Sequence, residues 1–211
     1  MGRVIIVKQK HFIDSHKACT FFFVLFLIFY YERFENETLF VYLALHGGYG
    51  FLWLLKSRIF GDRQWEQPCS LGYALVIWSS LSLYWITPFL IAKDNIEVAP
   101  WYIAVSILIY IFGVFFHFSS DMQKHTQLSL KKGLITDGMF RKCRNTNYFG
   151  ELLIYTGFSM LAQSYIPFLA LGSFVLFFWY PNMRRKDKSL SRYSEFKEYK
   201  ESSSLFFPYI F

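Results

Sequence analysis

Apolar residues in this chain gather into six runs, at 18–31, 38–55, 71–92, 98–118, 148–163 and 164–180, separated by short segments that hold most of the charge. Alternation of period two is absent within them, and the first four are long enough as helices to approach or cross about 30 Å of hydrocarbon. The pattern predicts an all-α, polytopic membrane bundle of about six spans, a single membrane domain covering 1–211. The run at 148–163 would reach only about 24 Å as a helix, so it should tilt, thin the bilayer or start in a protein-lined recess.

Charge placement gives the runs a direction. Twenty of the 22 Lys and Arg fall before the first run, in the 56–70 and 119–147 segments and after the last run, whereas the alternate connections hold only Arg33 and Lys93. By the positive-inside bias both ends face the cytosol, or the matrix if the membrane is mitochondrial. The first run meets Glu32, Arg33 and Glu35 with no small-residue cleavage site, so it is expected to be retained. The net charge of +7 reflects this bias, and nucleic acid is not an expected partner. The composition, 54% hydrophobic and 22% aromatic, points instead to the lipid bilayer, and a recess at the short 148–163 run would let a lipophilic small molecule arrive through lipid.

Polar groups inside the runs mark candidate sites, since each costs free energy in hydrocarbon. His46 lies in Ala44-Leu45-His46-Gly47-Gly48-Tyr49-Gly50, where glycines suit a helix-packing seam with the imidazole bonded across it. His117 and Asp121, four apart, share a face if their helix continues. Asn147, Glu151 and Tyr155 make one polar stripe, with Asn147 placed to cap the helix start. Cys143 stands between Lys142 and Arg144, which would lower its pKa, although an incidental thiol is the plainer expectation. No G-x-G-x-x-G, P-loop, H-E-x-x-H or G-x-S-x-G pattern is present, and the five histidines give no metal-ligand spacing.

Gly133-Leu134-Ile135-Thr136-Asp137-Gly138-Met139-Phe140, followed by Arg144-Asn145-Thr146-Asn147-Tyr148-Phe149-Gly150-Glu151, resembles the G-L-W/Y … R-H-P-N-Y-x-G-E signature of a membrane superfamily. Its members include steroid 5-alpha-reductases, sterol C14/C7 reductases, DUF1295 proteins and isoprenylcysteine methyltransferases. Ser120-Asp121-Met122-Gln123-Lys124 resembles the S-D-x-Q-K before it, and Phe207-Pro208-Tyr209-Ile210-Phe211 resembles the reductase ending. The likeness covers roughly 117–211, with 1–116 supplying the earlier spans. It implies a cofactor held by that second half, NADPH in reductases or S-adenosylmethionine in methyltransferases. The implied cofactor-binding residues are Asp121, Lys124, Arg144, Asn147, Tyr148, Arg184, Asp187, Tyr193 and Tyr199; the proton donor is open among Tyr49, Tyr84 and Tyr155, with Tyr155 favoured because it shares the Asn147/Glu151 face and Glu151 orienting it. Asn145-Thr146 replaces the usual His-Pro.

Three functions follow: an NADPH-dependent reductase of a lipid C=C bond, an S-adenosylmethionine-dependent methyltransferase, and a non-catalytic subunit of a larger membrane complex that binds no cofactor. The expected location is the endoplasmic reticulum membrane, with the mitochondrial inner membrane as the alternative.

Overall fold

A computed structural model describes residues 7–210, so Arg3 and Phe211 lie outside the described residues. Among these, seven helices follow one another: α1 Gln9–Tyr30, α2 Glu37–Ile59, α3 Leu71–Asp94, α4 Pro100–Leu130, α5 Thr146–Met160, α6 Ile166–Leu190 and α7 Phe196–Ser202. Five of them (α1, α2, α3, α4 and α6) are long and apolar enough to cross a membrane. The 15-residue α5 spans about 22 Å and falls short of the hydrocarbon thickness. The chain divides into two compact units, one of residues up to Ala104 with Phe158–Pro167, the other of Val105–Gly157 with Phe168–Phe211.

In the first unit α1 packs on α2 and α3. It begins at Gln9, nine residues before its apolar run, because the polar residues of its first turns find partners. Asp14 accepts from Trp53 Nε1 at 3.1 Å and Ser57 Oγ at 2.8 Å. Lys17, 3% exposed, lies 4.6 Å from the Tyr49 ring centroid and 5.2 Å from that of Trp53, so aromatic faces offset its desolvation. The two helices meet so closely at Gly50 that a Cβ there would stand 2.4 Å from the Lys17 carbonyl oxygen. The glycine seam is therefore real, and His46 is held within its own helix as well. Its Nδ1 lies 2.6 Å from Tyr42 Oη, one turn earlier on the same helix, and its ring stacks on Phe158.

Two departures from regular helix sit side by side here. Residues Leu43–Gly47 form a π turn, and Ser82–Trp85 a 3-10 turn within α3. Pro88 explains the second, because it has no N–H to give the Tyr84 carbonyl four residues back. Tyr42 Oη approaches that carbonyl at 3.4 Å.

At one end of this unit Arg33 Nε donates to the Ala92 carbonyl at 2.8 Å, placing a cation at the carbonyl end of α3. Asn36 caps α2 by accepting from Leu39 N–H, and its Nδ2 donates to Ile96 O at 3.1 Å. At the other end Lys8 Nζ lies 2.7 Å from Glu66 Oε2, and Lys10 binds the same carboxylate. Hydrogen bonds from these lysines hold Glu66 down to about 2, so the clip is complete above the usual carboxylate range and is lost as pH falls through about 2.

In the second unit α4 continues twelve residues past the end of its apolar run at Phe118, which puts Lys124 on a helix and not in a loop. It crosses α5 at backbone distance, and a Cβ on Gly150 would stand 2.4 Å from His117 N. α6 runs on through the basic cluster to Leu190, and its π turn at Val175–Trp179 precedes Pro181, a second helix break of the same origin. Beyond the spans, α7 buries Phe196 and Tyr199, each worth about 1.5–3 kcal/mol of transfer free energy.

Two substitutions test these packing claims by thermal unfolding in detergent. Gly150→Ala should cost about 1–3 kcal/mol, because backbone and not a flexible side chain must yield. Tyr42→Phe should cost about 1 kcal/mol by removing a donor inside the span.

Candidate functional site

The chain between α4 and α5 carries the signature residues, and it is fixed before it reaches them. Gln123 Nε2 donates to the Asp137 carbonyl at 3.1 Å, Gln127 Nε2 to Asp137 Oδ1 at 3.0 Å, and Met139 N–H to Gln123 Oε1 at 2.9 Å. A short 3-10 turn, Gly138–Phe140, then leads to the helix start. Because α5 begins at Thr146, Asn147 lies inside its first turn and is not the cap. The first intrahelical bond, from Phe149 N–H, goes to the Asn145 carbonyl. Thr146 Oγ1 donates to Met139 O at 2.6 Å and lies 2.9 Å from Cys143 O. Thr146 thus occupies the first helical position, where proline is well tolerated.

The segment after α7 is stitched to this loop. Ser204 N–H donates to Lys142 O at 3.1 Å and Arg144 N–H to Ser204 O at 2.9 Å. Asn145 Nδ2 reaches Leu205 O at 2.8 Å, and Cys143 Sγ reaches Phe206 O at 3.1 Å. The Asn145-Thr146 pair that replaces His-Pro thus has structural work of its own. Tyr199 Oη donates to Phe140 O at 2.7 Å, and burial raises its hydroxyl well above the ordinary value.

Arg144, 5% exposed, faces inward. Its Nε lies 3.2 Å from Asp187 Oδ1, and its Nη1 donates to the carbonyls of Ser203 and Lys200. Lys186 Nζ donates to the Arg144 carbonyl at 2.7 Å. Behind this, His117 Nδ1 lies 3.2 Å from the Asn147 carbonyl and its Nε2 lies 3.9 Å from Asp121 Oδ2, while Lys124 Nζ lies 3.7 Å from Asp121 Oδ1.

A cavity of about 560 Å³ opens beside this layer, lined by Arg184, Arg185, Asp187, Lys188, Ser191, Phe196 and Lys200. Four cations face one carboxylate, and that carboxylate is already paired with Arg144 through Oδ1. Oδ2 of Asp187 is buried without a hydrogen bond, as are Asn145 Oδ1 and Asn147 Oδ1. The four cations and Asp187 Oδ2 are the cavity-side groups able to hold an anionic, hydroxyl-bearing ligand, and Asn145 and Asn147 do not line the cavity.

Of the residues expected to bind a cofactor, only Arg184 and Asp187 line the cavity. Asp121, Lys124 and Asn147 are joined through His117, whereas Arg144 and Tyr199 bond to the chain itself. Tyr193 packs under Arg192 at 5.0 Å. Tyr148 and Tyr155 both set their rings against Trp179, at 5.6 and 6.4 Å. Neither Tyr155 nor Glu151 lines the cavity. Lys200 and Ser191 escaped sequence reasoning; Ser191 only follows the end of α6, whereas Lys200 reaches the cavity through the turn between α6 and α7.

A many-spanning helical membrane protein with a basic cavity bordered by its last two helices is thus the class defined by fold and site. Over residues 58–203 the chain matches the family described as a protein of unknown function, DUF1295, and it belongs to that family, which lies within the steroid 5-alpha-reductase-like superfamily. The match begins well before the signature block, in the helices of the first unit. No curated protein and no solved structure matches the chain.

Cys143 corrects an expectation. It is 1% exposed, and burial outweighs its cationic neighbours, pushing the thiol up from its usual value. At pH 8 it stays protonated, so a maleimide should label the half-buried Cys69 while leaving Cys143 unmodified until the protein is denatured, as read by peptide mass mapping.

Proposed function

We propose that this chain is a membrane oxidoreductase that reduces a C=C bond of a lipid, of sterol, steroid or enoyl type, with NADPH. The observation that carries this is the charge of the cavity: Arg184, Arg185, Lys188 and Lys200 against Asp187 alone. S-adenosylmethionine, which brings a sulfonium and an ammonium, would meet repulsion there, whereas a diphosphate with a 2′-phosphate would be neutralised. Asp187 Oδ2 offers an acceptor for a ribose hydroxyl. Membership of a family within the steroid 5-alpha-reductase-like superfamily agrees with this choice, although methyltransferases belong to it as well.

When bound, NADPH supplies a hydride to one carbon of the double bond. The chain supplies the rest. The cations hold the phosphates, an apolar substrate enters from lipid, and a proton must reach the other carbon. Tyr155 Oη is the donor assigned here, with Glu151 one turn earlier on α5 orienting it; a positioned acid contributes about 10²–10⁴-fold. Tyr155→Phe should then lower turnover by that order while leaving NADPH affinity unchanged.

A second reading has its own support. Arg144, Tyr199 and Thr146 are taken up by bonds within the protein, which is what a non-catalytic subunit of a membrane assembly would retain. Titration of NADPH fluorescence with the purified chain in nanodiscs separates the two. Binding should weaken with ionic strength, and Arg185→Met with Lys188→Met should weaken it by at least about tenfold. No fluorescence change at high micromolar NADPH, or tighter binding of S-adenosylmethionine, would overturn the reductase.

A further inference from the structure

Arg144 is the most invested side chain in the second unit, yet it does not line the cavity. Its guanidinium divides three ways: Nε to Asp187 Oδ1 at 3.2 Å, Nη1 to Lys200 O at 3.3 Å, and the same nitrogen to Ser203, whose Oγ is at 3.1 Å and whose carbonyl is closer still. Asp187 and Lys200 are wall residues of the cavity, the first from α6 and the second from α7. One cation thus joins both walls from behind. Its main chain joins them too, since Arg144 N–H donates to Ser204 O and Arg144 O accepts from Lys186 Nζ.

We propose that Arg144 is a positioning residue and not a phosphate ligand: it clamps α6 to the segment after α7 and orients Asp187, leaving Oδ2 as the carboxylate's acceptor for a hydroxyl-bearing ligand. The planar fork is what the task requires. A guanidinium can bond a carboxylate along one edge and carbonyls along the other, whereas an ammonium is a point charge that satisfies one side at a time. A phosphate ligand needs its donors at the cavity surface. At 5% exposure Arg144 would have to leave Asp187 buried and unpaired to get there. The effect on ligand binding rests on the nucleotide reading of the cavity, but the clamp does not.

The test uses the full chain in nanodiscs, with NADPH and NADH titrations beside hydrogen exchange of residues 203–206. Arg144→Lys should lose as much NADPH affinity as Arg144→Met, about tenfold or more in each, with the NADPH-to-NADH preference unchanged. Exchange at 203–206 should quicken by about tenfold in both. Arg185→Met should do the reverse, lowering the preference and leaving exchange alone. Retention of affinity by Arg144→Lys, or a lost preference with 203–206 still protected in Arg144→Met, makes Arg144 a phosphate ligand and overturns the proposal. If the unaltered chain binds neither nucleotide, the cofactor reading fails, and the exchange arm still decides: unchanged protection in Arg144→Met removes the clamp. Should neither Arg144 variant fold, Ser203→Ala deletes one acceptor of Arg144, together with the bond from Ser203 Oγ to Tyr199 O, and should raise exchange at 203–206 by about threefold. Unchanged exchange there counts against the clamp equally.

Discussion

Hydrocarbon offers no hydrogen bonds, and this fold depends on how the chain meets that constraint. The 3-10 break in α3 coincides with a local substitute. Pro88 takes an N–H from the Tyr84 carbonyl, and the Tyr42 hydroxyl stands beside it. Lys17 enters α1 against the faces of Tyr49 and Trp53, and Asp14 is held by an indole and a hydroxyl. Arg33 meets the carbonyl end of α3 and spends its charge on backbone. The glycines at 50 and 150 serve the same end differently, by letting backbones touch where bulk would force a gap.

The second unit follows another logic, because its polar groups are assembled by segments far apart in sequence. The loop before α5 is pinned to α4 through Gln123 and Gln127, and then to the segment after α7 through Cys143, Arg144 and Asn145. What results is a polar layer with both excess donors and bare acceptors, next to a cavity. That combination, and not any single side chain, is what the nucleotide proposal rests on.

Much of this was legible in the sequence. The hydropathic runs marked every helix from α1 to α6, and the spacing of His117 and Asp121 foretold a shared face. Length and apolarity do not betray pairing, however, so α1 was expected to start nine residues late: Asp14, His16 and Lys17 look like a solvated tail until Trp53, Ser57, Tyr49, Trp78 and Trp85 close over them. The helix past Phe118 was hidden for the same reason. Arg184 and Asp187 could be picked out as site residues from their cluster and family likeness, but Lys200 could not, since only a turn brings it back. Nor could local sequence reveal that Arg144 looks inward, because its acceptors lie 43 to 59 residues away. Cys143 misled for a related cause: charge beside it in sequence matters less than the water excluded around it.

The length of α4 has a mechanical meaning. With 31 residues it extends about 46 Å, well beyond the hydrocarbon slab, and its outer turns grip the 131–140 loop through Gln123 and Gln127. A rod gripped in this way is a mast. Whatever inclination packing gives its submerged part is delivered to the rigging above, so the contacts of α4 set the height and attitude of the loop that leads into α5.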